Sequence, residues 1–295
     1  MDRLRLGVLV AGAVGLISGS AKAALVAYDG FASSSYTLGD PVYPAGGMGP
    51  NAGTGWTDGW QGSSGFNTTA PRTVVAGLSY PGLASSGYAA ASLPYQPGGQ
   101  STAERNFTNT ATSDLWFSLL IQLNASTELA NGNSAQSYGG IALENTSFST
   151  FLYVGVGGGA TNYGLQTPAA GIVSSSTAPT VGQTDLLLVH VDSSDTASLW
   201  IDPALGGTPL GAPNVTVASP LAPSEFGGLY WSDTWGWTYD ELRIGTTLAD
   251  VTPAPAPAPE PATWTLIAGA AVLLSGLRGR RRATVPLRTR NARPG

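Results

Sequence analysis

The chain has no cysteine among its 295 residues. That removes disulfides, thiolate metal sites, thiol nucleophiles and lipid attachment through an N-terminal cysteine. It has a single histidine, His190, so no multi-histidine metal centre can be assembled. Charged residues make up 11% of the composition, too few for a disordered polyelectrolyte, and the 40 glycines follow no three-residue period, so the chain is not collagen-like. What remains is a loop-rich chain with 42% apolar residues, enough for a sizeable core. All-β sandwiches run to about 200–250 residues as one domain, and one domain is expected here.

Positive charge is scarce where it would matter most. Of the 13 basic residues, Arg3, Arg5 and Lys22 lie before residue 24, and seven lie after residue 277. Residues 24–252 keep only Arg72, Arg105 and Arg243 against 16 acids, a formal charge of −13. Such a body repels phosphate backbones, so nucleic acid is excluded as a partner. An acidic exterior keeps the protein soluble and attracts divalent cations.

Both ends read as addresses. Arg3 and Arg5 precede the apolar residues 6–17, and Ala21-Lys22-Ala23 places small residues where a signal peptidase cuts. Residues 1–23 are therefore expected to be a signal peptide, with Ala21 and Ala23 forming the peptidase site and the mature chain starting at Ala24. At the other end, residues 252–261 (TPAPAPAPEP) form an extended Pro/Ala linker. Residues 262–277 carry no charge and suit a transmembrane helix, although 16 residues is short of the usual span of about 20. Residues 278–295 form an Arg-rich tail whose cluster favours the cytoplasmic side.

Pro259-Glu260-Pro261, the apolar span and the cluster Arg278, Arg280, Arg281 and Arg282 resemble, in that order, the PEP-CTERM sorting signal. The resemblance implies a substrate of an exosortase in a Gram-negative-type bacterium that makes exopolysaccharide. The helix would hold the chain in the inner membrane transiently, and cleavage near Pro-Glu-Pro would pass the body to the envelope surface or the exterior. The tail 283–295 is unusually long for that family.

Residues 24–251 show no convincing amphipathic helix. Short β-branched and aromatic runs bounded by Gly, Pro, Asn, Ser or Asp predict strands at 24–28, 73–80, 115–123, 138–144, 150–156, 186–192, 198–202, 228–232 and 241–245. About nine to twelve strands suit an all-β, two-sheet antiparallel sandwich. The stretches 46–65 and 82–99 read as long surface loops. The segments VAYDGF (26–31), GWTDGW (55–60), LLVHVD (187–192), LWIDP (199–203) and DELRIGT (240–246) together resemble a LamG-like, concanavalin A-type jelly roll. That resemblance implies pairing of the first and last strands.

Several residue patterns bear on chemistry. Retaining glycoside hydrolysis needs two carboxyls about 5–5.5 Å apart, and on a strand that means alternate positions. Asp240 and Glu241 are adjacent and should face opposite ways. No Glu-x-Asp-x-Glu triple occurs, so no catalytic residue is assigned and an enzyme is not expected. His190 should share a sheet face with Leu186 and Leu188, opposite Leu187, Val189 and Val191.

Tyr230, Trp231, Trp235, Trp237 and Tyr239 place five aromatics within ten residues. Trp231, Trp235 and Trp237 either stack on sugar rings or fill the core, and Trp56 and Trp60 invite the same two readings. For Ca²⁺, Asp58, Asp192, Asp195, Asp202, Asp233 and Asp240 are candidate ligands without any recognised spacing, so the metal ligands stay unassigned. The function expected is a non-enzymatic exported surface or matrix protein associated with exopolysaccharide or biofilm. A lectin-like carbohydrate-binding module is the alternative, and a polysaccharide hydrolase or lyase a more distant one.

Overall fold

The computed structural model describes residues 25–44, 47–62, 72–92, 101–124, 138–147, 149–206, 210–233 and 236–256. The expected signal peptide, Pro-Glu-Pro, the apolar span, the arginine cluster and Trp235 fall outside the described residues. By its internal contacts the chain divides into residues 1–255 and 256–295, and the strands all lie in the first unit.

Among the described residues fifteen strands are present: β1 (Leu25–Asp29), β2 (Gln61–Gly62), β3 (Thr73–Ala76), β4 (Tyr88–Ala91), β5 (Ser101–Asn106), β6 (Leu115–Leu123), β7 (Gly139–Asn145), β8 (Phe151–Val156), β9 (Gly164–Thr167), β10 (Gly171–Ser174), β11 (Thr184–Val191), β12 (Thr196–Ile201), β13 (Val215–Ala218), β14 (Phe226–Asp233) and β15 (Trp237–Gly245). They form two antiparallel sheets. One has the order β13-β12-β11-β6-β15-β4-β3, with β1 also paired to β15, and the other has the order β10-β9-β8-β7-β14-β5-β2. This is the expected all-β sandwich of jelly-roll type. The first and last strands do pair, with Leu25 opposite Gly245.

Alternation along β6 shows how the sequence makes the layer. Leu115, Phe117, Leu119, Ile121 and Leu123 enter the core, while Trp116 and Gln122 stay half-exposed on the other face. In β11, Leu187, Val189 and Val191 point inward and His190 points outward. The outer face is also apolar at Leu120 and Leu186, and there Leu83 packs over it with Leu78, Tyr80 and Leu205 at the rim. A four-residue helix α1 (Leu248–Val251) closes the fold, with the Thr247 hydroxyl accepting from the Asp250 N–H. Val251 then offers its carbonyl to the buried Ser118 hydroxyl at 2.7 Å.

Several expectations need correction. The stretches 46–65 and 82–99, expected as loops, contain β2 and β4, and the strand expected at 73–80 ends at Ala76. Asp240 and Glu241 do not face opposite ways. A bulge between Asp240 and Arg243 puts Glu241 at φ 52°, so both carboxylates reach the 77–86 segment. Asp240 accepts from the Leu78 N–H at 2.8 Å, and Glu241 accepts from the Ser86 N–H at 2.6 Å. Burial, reinforced by the neighbouring Glu241 charge, pushes Asp240 up to about 8.

All three arginines of the body are buried, each with an acid and over an aromatic ring. Arg72 pairs with Asp233 at 2.6 Å and lies 4.5 Å from the Trp231 ring. Arg105 pairs with Asp29 at 2.5 Å and lies 4.5 Å from Trp56. Arg243 pairs with Glu241 and lies 4.3 Å from Tyr28. Because residues 25–252 contain no other lysine or arginine, their exterior carries no lysine or arginine charge.

Candidate functional site

Of the aromatics singled out for sugar stacking, Trp231 and Trp237 belong to the core. Trp231 is 0% and Trp237 2% exposed, so neither presents a ring to a ligand. Trp231 stacks on Trp60 at 3.9 Å with 7° between planes, and on Tyr239 at 5.5 Å. Trp56 is also buried and meets Trp60 at 6.0 Å. A sandwich without disulfides draws on its largest rings to fill the space between sheets.

The candidate calcium ligands are likewise occupied in the fold. Asp58 accepts from the Asn106 N–H and amide at 2.9 Å each. Asp192 organises the β11–β12 turn by accepting from the N–H groups of Ser194 and Thr196, and Asp195 sits in that turn at φ 57°. Asp202 accepts from the Leu186 N–H, while Asp233 is paired with Arg72. Among the described residues no group of three or more His, Asp or Glu is placed to hold a metal ion.

A different aromatic array lies on the outer face of the β1-containing sheet. Strand register places Trp116 of β6 opposite His190 of β11, with Ser198 of β12 next in the row. The Trp116 and His190 rings stack at 4.1 Å and 10°, and Trp116 and Trp200 lie 5.9 Å apart at 24°. Trp200 is held by its indole N–H, which donates to the Gly211 carbonyl at 2.7 Å. His190 is held by Asp114 at 2.9 Å, and hydrogen bonds from Ser113 and His190 keep the Asp114 carboxyl below its usual range. The His190 and Asp114 side chains keep 21% and 42% of their surface exposed. Three near-parallel rings, pinned by hydrogen bonds at both ends, therefore sit half-exposed on the outer face.

Sequence reasoning places His190 on the correct face but does not connect it with Trp116 and Trp200. The signal is present in alternation, since Phe117 and Leu199 beside them point inward. The pairing of β6 with β11 and of β11 with β12 is what brings the three together.

A second polar feature lies at one end of the other sheet. A cavity of about 630 Å³ is lined by Thr57, Asn106, Asn109, Thr146, Glu225 and Gly227 among others. Nearby on β7, Glu144 is 7% exposed, and burial together with the Glu104 charge pushes it up to about 7.

No family model matches the sequence, and no curated protein matches it. Among solved structures, the fold is similar to the cellulose-induced protein Cip1, with TM-score 0.41 and 11% identity over 64% of this chain and 91% of that one. It is similar to the catalytic domain of a glycoside hydrolase family 131 protein from Coprinopsis cinerea, with TM-score 0.41 and 16% identity over 66% and 86%. The Ca²⁺-bound exoplasmic/lumenal domain of VIP36 gives TM-score 0.39 and 11% identity over 74% and 96%. At these identities the likeness concerns the sandwich and not its surface residues.

Proposed function

We propose that residues 24–251 are the non-enzymatic body of an exported surface or matrix protein that holds a neutral polysaccharide on the Trp116–His190–Trp200 array. The observation that carries the glycan reading is that array, in which three near-parallel rings remain at the surface of a sandwich that buries Trp56, Trp60, Trp231 and Trp237. Apolar C–H faces of sugar rings pack on aromatic rings, and Asp114 and Ser198 supply polar groups for hydroxyls. An exterior without lysine or arginine disfavours anionic polymers, which is why the glycan is taken as neutral.

Affinity electrophoresis in gels containing hydroxyethylcellulose, a β-1,3-glucan or the producing cell's exopolysaccharide tests this. Retardation by at least one polymer is expected, without release of reducing ends. Trp116→Ala and Trp200→Ala should each weaken it about tenfold, the scale of one lost aromatic contact of about 1.4 kcal/mol. Unchanged retardation in both variants defeats the array as the binding surface.

In the same reading, signal peptidase and an exosortase remove the two ends. The sandwich supports removal of the C-terminal end by closing with α1, followed by a bond from the Ala84 N–H to the Pro253 carbonyl at 2.8 Å. Mass spectrometry of protein recovered outside the cytoplasmic membrane should find Ala24 first and an end near Pro259–Ala262. Intact Arg278–Gly295 on that protein would refute the cleavage.

A further inference from the structure

The seven-stranded sheet carries a feature independent of the aromatic array. In its register Asn106 of β5 lies opposite Gly228 of β14, which lies opposite Glu144 of β7. Arg105, Leu229 and Leu143, the neighbouring residues in the same register, are all buried, and Leu229 and Leu143 belong to the core cluster. Alternation therefore directs Asn106 and Glu144 to the outer face, on either side of a residue without a side chain. Two strand spacings separate them, about 9.5 Å between their backbones. An asparagine and a glutamate reaching inward over that gap leave room for an ion with metal–oxygen distances of about 2.3–2.6 Å. Glu104 lies two positions before Asn106 on the same face of β5, in register with Tyr230.

The hydrogen bonding of this group is one-sided. Glu144 is more than nine-tenths buried, yet among the described residues no donor reaches its carboxylate. The Asn106 amide nitrogen donates to Asp58 at 2.9 Å, which fixes the orientation of the amide. Its Oδ1 is buried and has no partner among the described residues. Buried acceptors are ordinarily satisfied, and one that is not, standing across a glycine from a carboxylate without a donor, calls for a species that brings positive charge to both. Glu104 raises that demand, because its charge acts directly on Glu144. The cavity lined by Asn106, Gly227 and Thr146 reaches the bulge beside Gly228 and offers an entry path.

We propose that Glu144, Asn106 Oδ1 and Glu104 form a divalent-cation site above Gly228, with Ca²⁺ as the fitting ion. All three ligands are hard oxygens, as Ca²⁺ requires, and water completes the shell. Two carboxylates and one amide make a weak site, in the range of about 10⁻⁴–10⁻³ M typical of extracellular modules. Because only two of the ligands are carboxylates, the site differs from the three-acid clusters absent among the described residues.

Melting the purified full chain in chelator and in CaCl₂, at matched ionic strength, tests it. At about ten times the dissociation constant the melting temperature should rise by roughly 3–6 °C, and it should keep rising by a similar step for each further tenfold increase in calcium. Terbium(III) supplies a second readout, with emission sensitised through Tyr230 and displaced by calcium. Glu144→Gln should abolish both responses while melting in chelator no lower than the wild type, since it removes an unpaired buried charge. Glu104→Gln should weaken both, and it carries the test if the first variant fails to fold. Identical wild-type melting curves with and without calcium overturn the proposal. So does a calcium response that survives in Glu144→Gln.

Discussion

Trp231→Ala is expected to cost about 3–5 kcal/mol of stability, measured by urea denaturation, and to leave glycan retardation of the surviving folded protein unchanged. Trp231 packs its ring against Trp60 at 3.9 Å, Tyr239 at 5.5 Å and Phe31 at 5.9 Å. It is fully buried at the centre of the space between sheets, so truncation leaves a cavity that neighbours on two rigid strands cannot close. The Arg72 guanidinium, 4.5 Å above the same ring, also loses the aromatic face beneath its charge. Since a domain of this size holds only about 5–15 kcal/mol in total, the variant should approach unfolding at physiological temperature. A Trp231→Ala protein of near-native stability that has lost polysaccharide binding would restore Trp231 to the binding surface and contradict its place in the core.

The second large effect is expected at Arg105. Its guanidinium donates to Asp29 Oδ2 at 2.5 Å, to the Asp58 carbonyl at 2.8 Å, to Asn51 Oδ1 at 2.9 Å and to the Ala52 carbonyl at 2.5 Å. Asp29 also accepts from Trp60 and Tyr36 at 3.0 and 3.1 Å, and from the Phe31 N–H at 3.0 Å. Burial pushes Asp29 up and Arg105 down, so desolvation outweighs attraction in both partners.

Arg105→Met therefore leaves a carboxylate in the core without its counter-charge, at a cost of about 3–5 kcal/mol. Asp29→Asn should be similarly harmful, because it strands a guanidinium. Combining the two should cost less than the sum of the singles by about 1–3 kcal/mol. Denaturant midpoints of the four proteins in the cycle measure this. Strict additivity would mean that the pair is not coupled and that its other hydrogen bonds carry the whole effect.

The long apolar strands are legible in the sequence. The run LWFSLLIQL predicts a strand at 115–123 and is β6 over the same residues, because β-branched and large apolar residues at alternate positions have one buried face to satisfy. Strand β5 is not legible. Its sequence STAERN is polar because one face meets the Arg105–Asp29 network and the other carries Glu104 and Asn106. Strand β4, YAAA, is hidden by its small residues and by the glycines around it. The bulge at Glu241 depends on tertiary contacts with residues 77–86, which no local pattern encodes.

The outer aromatic array shows the same limit. Alternation can separate Trp116 and Trp200 from the core, but only long-range pairing can set them around His190. The segment 230–239 is the louder aromatic signal, and Trp231, Trp237 and Tyr239 within it belong to the interior.

The pairing of β6 with β15 has a mechanical consequence. Trp116 lies opposite Gly245, three residues before α1 and the segment leading toward the linker. A polymer held at Trp116 and an envelope attachment beyond residue 256 would thus pull on adjacent strands at nearly the same level of one ladder. Tension would cross the hydrogen bonds between Trp116, Phe117 and Ser118 on one side and Gly245, Ile244 and Arg243 on the other, and then leave the sandwich. The seven-stranded sheet would lie off this load path. Traction applied in this way would leave the packing between the two sheets unstretched.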